Sequence, residues 1–116
     1  MNIYDICARL KSGVNDMNFV ESIHQYLKPL AAAGKLENYR ITRRKLGLGG
    51  ADLLDFHIMV EFRDLAQFDQ TFSEIAMRKE PLESLHFAVN SKVAEVKFAL
   101  YRDFPDAGRH TGEEKF

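Results

Sequence analysis

The chain has one cysteine and almost no net charge in 116 residues. Cys7 has no partner, which excludes a disulfide within the chain. The 16 basic and 17 acidic residues leave a formal charge of -1, so the chain has no overall attraction for phosphate backbones or anionic lipid. No nucleic-acid partner and no membrane association are expected. No apolar run reaches the ~18 residues that cross a bilayer, and Met1 to Asp5 has neither a basic n-region nor a long apolar h-region. The expected location is the cytoplasm. The glycine-bearing run Gly47 to Asp52 lacks the Lys-Ser/Thr of a phosphate-binding loop and joins two strand-like stretches, so it reads as a hairpin connection.

What is present is a strand with two unlike faces. Phe56, Ile58, Val60 and Phe62 alternate with Asp55, His57, Met59, Glu61 and Arg63. The first set is wholly apolar and needs helices packed on it; the second mixes a histidine, a thioether and charges, as a wet cleft or an interface does. Asn2 to Leu10 alternates likewise, with Tyr4, Ile6, Ala8 and Leu10 on one side and Ile3, Asp5, Cys7 and Arg9 on the other. Gly13 and Asn15 break that strand. Asn18 followed by Glu21 matches a capping box, with Asp16 as a competing cap, and Val20, Ile23, Leu27 and Leu30 form a helical stripe ended by Gly34. Pro29 predicts a kink or an early end near Lys28.

Leu36 to Leu46 reads as an edge strand guarded by Arg40, Arg43, Arg44 and Lys45. Asp64 with Gln67 opens a second amphipathic helix through Leu65, Phe68, Phe72, Ile75 and Ala76. Pro81 then starts a short extra turn carrying Leu82, Leu85 and His86. Ser91 to Asp103 is the last strand, with Ala94, Val96, Phe98 and Leu100 on one face and Val93, Glu95, Lys97, Ala99 and Tyr101 on the other. Beyond Pro105 the sequence is a polar tail that includes His110 and ends on Phe116.

Strand, helix, strand, strand, helix, strand, with both helices needed on the apolar face, predicts an α+β, ferredoxin-like βαββαβ domain over residues 1–104 and a tail over 105–116. Right-handed crossovers give a four-stranded sheet of order 4-1-3-2 with two helices on one face. Its opposite face is left bare, showing Ile3, Met59, Val93, Ala99 and Tyr101, and such a surface meets a partner. By element order over residues 2–104 the chain resembles the dimeric α+β barrel superfamily. The runs Arg43-Arg-Lys-Leu-Gly-Leu-Gly49 and Leu85-His-Phe-Ala-Val-Asn90 are similar to those of a small uncharacterised bacterial family within it. The resemblance implies a homodimer with sheets packed face to face and a ligand cavity within each protomer or between the sheets.

The candidate ligand-binding residues are Arg9, His57, Tyr101, Cys7, Met59 and Glu61. His57 can act as an acid or base near neutrality with Glu61 orienting it, or serve as a hydrogen-bonded interior histidine. His57 and Glu61 stand ~13 Å apart along a strand and cannot chelate one metal. Cys7 is a nucleophile if a neighbour lowers its pKa, or a small buried hydrophobe. Arg9, Arg40, Arg44 and Lys97 can clamp a carboxylate or remain solvated edge charges. Tyr101 holds a ligand or fills an interface. Phe56, Phe62, Phe68, Phe72, Phe87 and Phe98 wrap a ligand body or complete a dry core. His24 reads as a surface residue beside the helical stripe. His86 occupies the half of the chain where haem-degrading superfamily members place their iron-binding histidine, but those enzymes press a tryptophan on the porphyrin and this chain has none. No cofactor and no metal are expected. The ligand expected is an apolar or aromatic carboxylic acid, fatty-acid- or polyketide-like. A cofactor-independent monooxygenase, isomerase or lyase is the alternative.

Overall fold

The computed structural model describes residues 1–106 and Gly108. Its elements are β1 (Asn2–Leu10), α1 (Asp16–Ala32), β2 (Asn38–Arg43), β3 (Phe56–Phe62), α2 (Leu65–Ala76), α3 (Leu82–Asn90) and β4 (Val93–Arg102). The strands form one antiparallel sheet of order β2-β3-β1-β4, the expected order read from the other edge. Alternation drives it: Phe56, Ile58, Val60 and Phe62 are all buried, and α1 covers them with Phe19, Ile23, Leu27 and Leu30. Each such side chain contributes about 1.5–3 kcal/mol by leaving water. Tyr4 of β1 joins the layer, edge-on to Phe68 and Phe72 of α2 and stacked on Phe98 of β4.

The helix ends differ from expectation at two places. Asn15, not Asn18 or Asp16, is the N-cap of α1: its backbone is extended and its side chain accepts from the Asn18 N–H at 3.1 Å. Pro29 does not end the helix, which runs on to Ala32. Pro29 and Gln25 are both exposed, so the Gln25 carbonyl that loses its donor is on the solvent side, where water can satisfy it. Gly34 takes the expected left-handed conformation, φ +73°, and closes a Schellman motif in which Lys35 N–H donates to Leu30 O and Gly34 N–H to Ala31 O. Asp64 caps α2 as expected, accepting from the Gln67 N–H at 2.8 Å.

The last third of the chain carries two further differences. The expected extra turn at Pro81 is a nine-residue helix, α3, packed beside α1, so three helices cover the sheet among the described residues. In β4 the register shifts between Arg9 and Leu10: Arg9 lies opposite Glu95 but Leu10 lies opposite Val93, leaving Ala94 as the extra residue of a bulge. The bulge reverses the expected facing at this end. Val93 packs on the core and does not show on the open face, and Ala94 is exposed. His110 and Phe116 lie outside the described residues, as does most of the expected tail.

Candidate functional site

Helices on one face and a bare opposite face put a concave region on each side of the sheet. The first is an apolar cavity of about 270 Å³ between sheet and helices. Ile6, Ile58, Val60, Ile23 and Leu27 build its walls, which follows from strand alternation meeting the α1 stripe. Polar side chains enter from Tyr26 on α1, Thr71 on α2, and His86 and Asn90 on α3. The Thr71 hydroxyl is already occupied, donating to Lys35 O at 2.5 Å. Tyr26 and His86 face each other with ring centroids 5.4 Å apart, and neither has a hydrogen-bond partner among the described residues. Burial pushes the Tyr26 hydroxyl well above the usual tyrosine pKa, with Tyr4 and Glu83 adding to the rise, so it is a neutral donor and acceptor throughout the physiological range. Toward the sheet edge the cavity is lined by Val96 and Phe98 of β4, both exposed.

The second region is a wider cleft on the open face, about 630 Å³. The open face around it follows the register in rows. Thr42, His57, Cys7 and Lys97 lie side by side; the next row is Arg40, Met59, Asp5 and Ala99; the next is Asn38, Glu61, Ile3 and Tyr101. The β2–β3 loop roofs one end through Leu48, Leu53 and Leu54. Asp5 is the unusual group here. Its side chain is only 13% exposed, and His57 Nε2 lies 3.2 Å from Oδ1, within ion-pair distance but off the line of a hydrogen bond, so Oδ1 accepts none.

The six candidate residues therefore do not converge. Cys7, His57, Met59 and Tyr101 all line the open-face cleft, but Tyr101 stands two rows and two strands from His57, roughly 13 Å along the strand direction alone. Glu61 stands beside Ile3, away from the cleft, and Arg9 lies beyond the last β1–β3 pair, facing Glu95 at 3.3 Å. Of the clamping cations, Arg44 is held by Asp55 and by Leu53 O, and Lys97 donates to Asp52 O. Phe62, Phe72 and Phe98 line the helix-side cavity, whereas Phe87 is exposed and Phe56 closes the core beside Phe19. Phe62 and Phe72 stand on the opposite face of the sheet from His57 and Tyr101, and only Phe98 of these phenylalanines, at the β4 edge, borders both regions. His24 is half-buried and bonded to the Tyr39 hydroxyl at 2.5 Å, joining α1 to β2.

Tyr26 is the functional candidate that sequence reasoning missed. Within α1 it looks like one more aromatic beside an apolar stripe, and the only signal was its polar tip among Ile23, Leu27 and Leu30. Among the described residues no group of three or more His, Cys, Asp or Glu is placed to hold a metal ion, and no helix is long and apolar enough to cross a membrane.

This sheet order, with helices on one side and an uncovered reverse, defines a ferredoxin-like fold. The chain belongs to a family of unknown function, DUF6614, whose model matches residues 1–116. No curated protein matches it. Among solved structures it is similar to the protein At3g17210 of Arabidopsis thaliana, at 12% identity and a TM-score of 0.69 over 89% of this chain and 95% of that one. A hydroxynitrile lyase from Passiflora edulis aligns at 16% identity and 0.66, covering 86% and 90%. A dimeric ferredoxin-like protein of unknown function from Thermobifida fusca aligns at 19% and 0.59, covering 87% and 90%. At these identities the likeness is one of fold.

Proposed function

We propose that the protein is a homodimer that holds a small, largely apolar molecule in the helix-side cavity of each subunit. The observation that carries this reading is the pair Tyr26 and His86, two polar groups without partners facing each other in an otherwise apolar hollow. Ligand sites have this composition, an apolar wall with few convergent polar groups. A volume of about 270 Å³ sits just below the usual range of ~300–1,000 Å³ for such sites, which favours a compact aromatic or short branched body over a long acyl chain. No arginine or lysine lines the cavity. A carboxylic acid is therefore held by hydrogen bonds to the Tyr26 hydroxyl and the His86 ring.

In the same reading the open face is the contact between subunits. It carries Ile3, Met59, Ala99 and Tyr101, side chains that suit a covered surface better than a wet one, and an Asp5 oxygen that can accept from a partner's donor. Cys7, His57, Met59 and Tyr101 then line the space between the two sheets, and Arg9 and Glu61 stand at its margins. The dimeric character of the Thermobifida protein supports this.

A lyase or isomerase reading is favoured by the same pair, since a neutral tyrosine donor beside an imidazole is a general acid–base couple, and one protein of this fold is a hydroxynitrile lyase. Titration with a panel of small aromatic acids and aldehydes, followed by methyl chemical shifts, tests the binding reading. Shifts at Ile23, Leu27 and Val89 that shrink in Tyr26→Phe and His86→Ala are expected. Shifts confined to residues of the open face, or none with any compound, would remove the helix-side cavity from consideration.

A further inference from the structure

The helix-side cavity lacks a wall at the β4 edge. Val96 and Phe98 line it, yet Val96 is 36% and Phe98 is 58% exposed. Among the described residues nothing covers this rim. A second uncovered apolar group is on the β2–β3 loop, where Leu46 is 83% and Leu48 is 73% exposed. That connection runs from 44 to 55, well beyond the ~2–5 residues of an ordinary hairpin, and such long loops usually carry function. Leu46 is moreover held at φ +57°, a conformation that costs a side-chain-bearing residue energy and here turns an apolar group into solvent.

The two groups meet once a second copy is placed. The sheet's edges are β2 and β4, and the loop leaves β2 level with Val96, because Arg43 pairs with Phe56, Phe56 with Ala8, and Ala8 with Val96. A two-fold axis running between two facing sheets, along the strands, sets β4 of one subunit beside β2 of the other at the same level. The loop that follows the partner's β2 then falls on the Val93–Phe98 end of β4. Because the contact is isologous, each subunit gives one loop and receives one. Among the described residues the loop is tied to its own β4 by an exposed hydrogen bond from Lys97 Nζ to Asp52 O, which is exchanged at little cost.

We propose that the β2–β3 loop of each subunit closes the helix-side cavity of its partner, with Leu46 and Leu48 packing on Val96 and Phe98. The proposal rests on the homodimer reading and adds that each cavity is complete only in the dimer. In a Cys7→Ser background, chains carrying Leu48→Cys are mixed with chains carrying Val96→Cys or Phe98→Cys, dissociated, reassociated and treated with a short bismaleimide, while the unmodified protein is sized by light scattering. The expected result is a dimeric parent and a covalent dimer in the mixed samples, absent when both cysteines are placed in chains kept monomeric by dilution. A dimeric parent with no covalent dimer from either pairing overturns the loop proposal and leaves the homodimer standing. A parent that is monomeric overturns both. Phe98→Cys alone could lose its fold, and the Val96→Cys arm keeps the test decisive.

Discussion

Gln67 shows how much one buried polar side chain can hold. It is 5% exposed; its carbonyl accepts from the Arg63 N–H at 2.7 Å, and its amide donates to Gly34 O at 3.0 Å and to Glu37 Oε1 at 3.2 Å. The start of α2 is thereby tied to the turn after α1. Gln67→Ala removes three partly buried bonds, so a loss of about 2 kcal/mol in urea unfolding is expected, with the midpoint falling and the slope unchanged. Tyr26 makes a prediction of opposite character, visible only in alkali. Its hydroxyl pKa is raised above the ordinary 10.0, chiefly by burial. Below that pH both folded and unfolded chains keep the proton and nothing is lost; above it the unfolded chain ionises more readily, and stability falls as pH rises. Tyr26→Phe is expected to lose less stability than the parent between pH 9 and 11, measured by thermal melts, and equal losses would place Tyr26 in water.

At the scale of elements, the ends of the helices are where substitutions read most cleanly. Gly34→Ala forces a Cβ into φ +73° at the end of α1, and a cost of about 1 kcal/mol is expected although no atom stands in the way. Arg78 after α2 is the reverse case, an arginine at φ +53°; Arg78→Gly is expected to raise the melting temperature by a few degrees. These elements were legible in sequence to differing degrees. The cap at Asp64, the left-handed Gly34 and the apolar faces of β1 and β3 are local, set by spacing within a few residues. The Ala94 bulge was not, because one inserted residue leaves the composition of a strand unchanged while reversing which side chains face inward beyond it. Asn15 reads in sequence as a strand breaker, since breaking a strand and capping a helix call for the same residue.

For the whole molecule, the open face was readable and the cavity was not. Alternation in β1 and β3 states which side chains share a face, so Cys7, His57 and Met59 fall together by pattern alone. A hollow arises from how three helices settle on the sheet, and no single stretch records it. Tyr26 and His86 lie 60 residues apart in the chain and meet only because α3 packs on α1. The central claim is a two-subunit particle with an occupant in each helix-side hollow. Native mass spectrometry of freshly purified protein tests it directly. The account predicts a species of twice the 13.3 kDa chain carrying a small additional mass per subunit, lost in Tyr26→Phe with His86→Ala. A bare single-chain species under the same conditions would contradict it.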